Sequence, residues 1–191
     1  MAQFKAFQPG VEVYGAVVLS VTEGMGEFRT MAERILAQHG IVKPQPDTWY
    51  PQQAWLDSFK TISEQIGPRT LFAIGKKILD TVGWPAWIDG LETGMRAIDL
   101  NYHLRHRLDG VPMLNDQTGE LTPGIGHYEL KGLTADNSAV MVCNNPYPSE
   151  LDRGIITAMG RRFESSLEVR LDTTQPTRTQ GADSCTYIIE W

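Results

Sequence analysis

Cysteine is almost absent, with Cys143 and Cys185 the only two among 191 residues. Two thiols exclude a disulfide framework and a four-thiolate zinc site, and they suit a reducing compartment. Positive charge is also scarce. Lys and Arg number 17 against 23 Asp and Glu, giving a net charge of −6 and a pI near 5.2. That balance opposes broad binding to a phosphate backbone, so no nucleic-acid partner is expected. No apolar run reaches membrane-spanning length, and Met1-Ala2-Gln3-Phe4-Lys5 lacks the basic flank and apolar stretch of a signal peptide. A cytoplasmic protein with no membrane contact is the expectation. Gly124-x-Gly126 opens a strand rather than a helix, so it is no phosphate loop, and neither a Gly-x-Ser-x-Gly elbow nor a His-Glu-x-x-His motif occurs. Together these absences favour a binding domain over an enzyme with its own catalytic residues.

What is present reads as one ligand-binding domain over residues 1–191, of α+β class. Val11 to Val21 is β-branched and aliphatic and reads as a buried strand leaving through Gly24 and Gly26. Phe28, Met31, Ala32, Ile35 and Leu36 then fall at helical spacing, predicting a helix over Glu27 to His39 closed by Gly40. Ile41 to Pro51 carries three prolines around Trp49 and Tyr50 and reads as an ordered loop. Two core helices follow, one through Trp55, Phe59, Ile62 and Ile66, one through Leu71, Ile74, Ile78 and Leu79. Leu91, Met95, Ile98 and Tyr102 predict a third, running to about Leu108 before Gly110 and Pro112. A hairpin over His127 to Leu133 and Ala139 to Cys143 comes next, then a helix with Leu151, Ile155, Ile156, Met159 and Phe163 on its apolar face. Strands at Leu167 to Leu171 and Cys185 to Trp191 close the chain, so a helical N-terminal layer should pack on an antiparallel sheet with a C-terminal helix.

Two segments carry a resemblance. They are Asn145-Pro146-Tyr147-Pro148-Ser149-Glu150-Leu151-Asp152-Arg153-Gly154-Ile155-Ile156 and Arg178-Thr179-Gln180-Gly181-Ala182-Asp183-Ser184-Cys185-Thr186-Tyr187-Ile188-Ile189. This last third of the chain resembles the C-terminal half of 4-vinyl reductase-type ligand-binding domains, which share a superfamily with haem-nitric-oxide-binding domains. The resemblance implies a haem-NO-binding-like fold that encloses a small molecule between helices and sheet, commonly as the sensory unit of a regulator. It also implies a reductase acting on a tetrapyrrole side chain as a rival function, for which no electron-carrying cofactor motif is present. Relatives place cysteines in the helix-entry motif and upstream of the final one. Here Ser149 and Thr177 stand at those places, leaving Cys185 alone, so no structural metal is expected from that group. Haem-nitric-oxide-binding domains hold iron through a helical histidine, which implies His103 or His106 as the ligand of a haem-based NO sensor. They also grip the propionates with Tyr-x-Ser-x-Arg. This chain has Tyr147-Pro148-Ser149 but its arginine, Arg153, lies two residues too far along, about half a helical turn.

The polar groups expected to reach a bound small apolar or anionic ligand are therefore Tyr102, His103, His106, Tyr147 and Arg153. His103 and His106, with Asp99 four residues before His103, could share a helix face and a metal; a solvated polar face is the plainer reading, and no metal is the expectation. Arg153 can fork onto an anion at a helix start or pair with Glu150 or Asp152. Cys143 and Cys185 read as buried thiols that behave as small hydrophobes, with His127 the one neighbour that could activate a thiol. Trp49, Trp55, Trp84, Trp87 and Trp191 can line an apolar cavity or fill core. The cofactor is left unknown, with haem the named alternative, and a sensory domain passes its signal through a homodimer or a partner protein.

Overall fold

The computed structural model describes residues 3–191. The first strand, β1 (Val11–Tyr14), covers only the start of the run expected to be strand through Val21. At Gly15 the chain turns into two short helices, α1 (Gly15–Val18) and α2 (Ser20–Gly24). The reason lies in the proline-rich loop. Its Thr48 and Pro46 carbonyls accept from the Gly15 and Ala16 N–H groups at 2.7 and 2.9 Å, supplying partners that a helix start lacks. The loop passes so close that a Cβ on Gly15 would sit 1.9 Å from the Gln45 carbonyl oxygen. After a single 3₁₀ turn, α3 (Arg29–Gln38) follows as the periodicity required.

The loop itself ends in a three-residue strand, β2 (Trp49–Pro51), before α4 (Gln52–Gln65) and α5 (Pro68–Thr81). Proline at the first position of α5 loses no hydrogen bond, because that N–H would have no intrahelical partner. The third long helix, α6 (Leu91–Leu104), stops before the expected Leu108. His106 to Leu108 instead form β3, which pairs with β1 and turns through Asp109 and Gly110 into β4 (Val111–Pro112). Both turn residues have positive φ, 51° and 81°, the requirement of a type I′ hairpin. A small antiparallel sheet of order β2-β1-β3-β4 results, built from stretches whose sequence reads as one strand, a loop and a helix end.

The C-terminal half follows the expected pattern. β5 (His127–Leu133) and β6 (Ser138–Asn144) form the hairpin, α7 (Ser149–Gly160) crosses, and β7 (Glu168–Leu171) and β8 (Cys185–Glu190) complete a sheet of order β5-β6-β8-β7. Alternate residues of β6 and β8 are buried, Met141, Cys143, Tyr187 and Ile189 among them. Ser149 does not cap α7 with its side chain; it is spent elsewhere, as described below.

Helices α5 and α7 meet at glycines. A Cβ on Gly75 would lie 2.2 Å from the Leu151 carbonyl oxygen, and one on Gly154 2.3 Å from that of Phe72. Only bare Cα atoms allow this approach. Trp55, Phe59, Ile62, Ile74 and Ile156, each at most 1% exposed, fill the space between the helices and the sheet. Each such side chain contributes roughly 1.5–3 kcal/mol by leaving water.

Candidate functional site

A cavity of about 50 Å³ lies between the helices and the C-terminal sheet. Val17, Trp55, Ile78, Val82, Ile98 and Ile155 give it an apolar wall, and Trp84, Asn101, Tyr102, Arg105, His106, Tyr128, Tyr147 and Leu151 complete the lining. Three of the five residues expected at a ligand, Tyr102, His106 and Tyr147, thus converge there. Two do not. His103 is fully buried on the face of α6 turned toward β5, and Arg153 forks onto Glu150, 2.6 Å away, while stacking over Phe72 at 4.2 Å. The expected shared helical face of His103 and His106 is overturned by the break at Arg105, which puts His106 on a strand. Of the tryptophans, Trp55 and Trp84 face the cavity, whereas Trp87 is exposed.

The polar groups of the wall form one relay. His106 Nδ1 lies 2.7 Å from the Tyr102 carbonyl and Nε2 lies 2.6 Å from the Tyr147 hydroxyl. A carbonyl can only accept, so Nδ1 carries the proton and the Tyr147 O–H donates to Nε2. The Tyr147 oxygen in turn accepts from Gln52 Nε2 at 3.0 Å. Burial drives His106 down to about 4, against the opposing effect of the Tyr102 carbonyl, so the ring is neutral at pH 7. Burial likewise raises the tyrosine hydroxyls of Tyr102, Tyr128 and Tyr147, which stay protonated. Trp55 Nε1 and Gln52 Oε1 are buried without hydrogen-bond partners. Orphans of this kind cost about 1–3 kcal/mol each unless a bound molecule meets them.

Behind Tyr147 sits a buried ion pair that the sequence reading missed. Arg178, 3% exposed, donates through Nη2 to Asp152, which is fully buried, and through Nη1 to the Asn145 backbone oxygen at 2.5 Å and its Oδ1 at 2.6 Å. Tyr128 donates to Asp152 at 2.6 Å. Burial pushes the Asp152 carboxyl up, offset in part by Arg178, Tyr128 and Asn145. For Arg178, burial opposes the charge, yet the Asp152 carboxylate holds it well above its usual value. The same node fixes Cys185, whose Sγ lies 3.4 Å from Arg178 Nε and 3.3 Å from Ser149 Oγ. Ser149 also meets Gln3 Nε2 at 2.5 Å. Cys143 and Cys185 face each other across β6 and β8 as free thiols. Burial raises the Cys143 thiol, so it is no nucleophile. The two segments singled out in the sequence are thus one structural unit, clamped by Arg178 rather than Arg153.

With this arrangement of helices, cavity and sheet, solved structures give a clear answer. The fold is that of H-NOX domains. An H-NOX protein from S. oneidensis superposes with a TM-score of 0.66 at 12% identity, covering 93% of this chain and 95% of that one. An H-NOX protein from K. algicida gives 0.63 at 14% identity, covering 93% and 95%. An oxygen-binding H-NOX domain related to soluble guanylate cyclases gives 0.59 at 15%, covering 92% and 91%. The sequence matches no family model and no curated protein. The expected α+β, haem-NO-binding-like architecture is therefore correct, while these matches give the expected likeness to 4-vinyl reductases no support.

Proposed function

We propose that the protein is a sensory or carrier domain that binds a small, largely apolar molecule in the cavity between its helices and sheet. The observation that carries this reading is the buried Trp55 N–H without a partner in an apolar wall. A ligand with one acceptor would satisfy it, and the neutral His106–Tyr147–Gln52 relay would hold the opposite side rigid. Signal output then passes to a second copy or a partner protein, through a change of packing that the ligand favours in one state. No helix among the described residues is long and apolar enough to cross a membrane.

Haem sensing is the second reading, favoured by the fold, since related structures were determined to probe haem distortion in the H-NOX family. The residues around the cavity do not fit a porphyrin in this arrangement. About 50 Å³ admits a molecule of a few heavy atoms, whereas pockets for larger ligands run to roughly 300–1,000 Å³. α6 turns Asn101, not a histidine, into the cavity, and both nitrogens of His106 are engaged. At the clamp position Leu151 replaces the arginine, and Arg178 is committed to Asp152. No step is derived through haem.

Native mass spectrometry and visible absorption of protein from haem-replete cells test both readings. The expected result is a colourless protein, with any retained mass lost in Ile155→Phe, which fills the cavity. If no mass is retained, xenon should shift the methyl resonances of Val17, Ile98 and Ile155. A Soret band abolished by a histidine substitution would replace this proposal with the haem reading, and xenon shifts confined to other sites would overturn it.

A further inference from the structure

On the side of α6 away from the cavity, Asp99, His103 and His127 bring three metal-binding groups together. One carboxylate oxygen of Asp99 and one ring nitrogen of each histidine lie within 4.8 Å of one another. We propose that these three residues form a site for a divalent transition metal with nitrogen and oxygen preference, Zn²⁺ above all. The proposal is independent of what fills the cavity.

The first support is an orphan. His103 is fully buried, its Nδ1 lies 2.9 Å from the Asp99 carbonyl, and its Nε2 has no hydrogen-bond partner. Because the carbonyl accepts only, Nδ1 holds the proton and Nε2 keeps a bare lone pair. A metal-binding histidine shows the same division, one nitrogen tied to a carbonyl and the other free for the ion; Nδ1 is the ring nitrogen that lies 3.7 Å from Asp99 Oδ1, so the ring must reorient to present Nε2 to an ion held by that carboxylate.

The second support is the set-up of the carboxylate. Asp99 Oδ1 accepts from the Tyr128 backbone N–H at 2.8 Å, which fixes the group's plane. Oδ2 faces His127 Nδ1 at 3.2 Å. The two imidazoles lie with centroids 4.9 Å apart and their planes 33° from parallel. A tetrahedral ion with bonds of about 2.0–2.1 Å needs donors roughly 3.4 Å apart. The side chain of His127 is 49% exposed, so its rotation adjusts its own distances to the other two donors. The ion would take the place of the direct His127–Asp99 contact. Solvent at the exposed edge supplies the remaining position, the pattern of sites with three protein ligands and one open place.

The sequence distributes the donors to suit this. Asp99 and His103 stand at i, i+4 on α6, and His127 opens β5, so the ion would pin the helical layer to the edge of the C-terminal sheet.

The experiment is calorimetric titration of the full chain with Zn²⁺ alone, together with Co²⁺ absorption as a geometric readout. One ion per chain is expected, with d–d bands of a four- or five-coordinate site, no thiolate charge-transfer band, and a higher thermal midpoint in Zn²⁺. His127→Ala lies on the surface and should keep the fold, and Asp99→Asn keeps the acceptor for Tyr128. Each should weaken Zn²⁺ by more than the ~10–100-fold lost when only an outer-shell partner is removed. Cys143→Ser/Cys185→Ser should bind as the parent does. Absence of stoichiometric binding, binding that survives both His127→Ala and Asp99→Asn, or binding lost in the cysteine variant would each overturn the site.

Discussion

Arg178→Met is the most revealing perturbation of this fold. It removes the guanidinium from a place where the side chains of both ion-pair partners are at most 1% exposed, and leaves the Asp152 carboxylate with Tyr128 and Asn145 only. Breaking a buried ion pair from one side costs about 3–5 kcal/mol, because the surviving charge stays in a medium that solvates it poorly. The Asn145 carbonyl and Oδ1 also lose their donor. Against a typical total of about 5–15 kcal/mol, the variant should fold but sit close to its limit. At this chain length a loss of that size lowers Tm by roughly 10 °C. Asp152→Asn/Arg178→Met removes both charges and keeps an acceptor for Tyr128, so it should be less damaged than Arg178→Met alone. Urea unfolding at pH 7 measures the cycle, with a lower midpoint and an unchanged slope for the single variant. A loss below about 1 kcal/mol for Arg178→Met, or a double variant as unstable as the two single effects summed, would refute the assignment of Asp152–Arg178 as the coupled centre of the C-terminal half.

His106 should make stability fall in mild acid. Its folded value of about 4 lies below the ordinary 6.5, so the unfolded chain takes the proton first. The contribution is fully present above pH 6.5 and is lost as pH drops toward 4, by about 3 kcal/mol at about 1.4 kcal/mol per pH unit; urea midpoints across that window should flatten in His106→Gln. Gly154→Ala places a methyl 2.3 Å from the Phe72 carbonyl and must part α5 from α7. A loss of about 1–3 kcal/mol in the same assay is expected, and a neutral result would mean that these helices are not in contact there.

The C-terminal half was legible because its signals are local. Period-two burial in β6 and β8 and the 3.6-residue stripe of α7 follow directly from which residues are apolar. The small N-terminal sheet was harder to see. Val11 to Val21 is apolar enough for strand or buried helix, and periodicity alone does not separate the two. Asp109-Gly110 is a pair suited to a type I′ turn, but Gly110 taken only as a helix stop hid β3. His106 consequently seemed to share a helical face with His103. Choosing Arg153 over Arg178 has a similar origin. Arg153 stands beside the resembling motif in sequence, yet i, i+3 spacing hands it to Glu150, while Arg178 reaches Asp152 only because a 3₁₀ turn at Arg178–Gln180 brings it against α7.

By itself the sequence determined the class of the fold and the positions of the long helices and the last four strands, and it singled out Tyr102, His106 and Tyr147, which line the cavity. These are consequences of hydrophobic periodicity and turn residues within short windows. The tertiary structure alone decided that His127 meets the Asp99–His103 pair, that Asn101 faces the cavity, and that Arg178 lies buried on Asp152. Those pairings join residues 24 to 28 positions apart, and a charged or polar group removed from water must find its partner wherever the chain brings one.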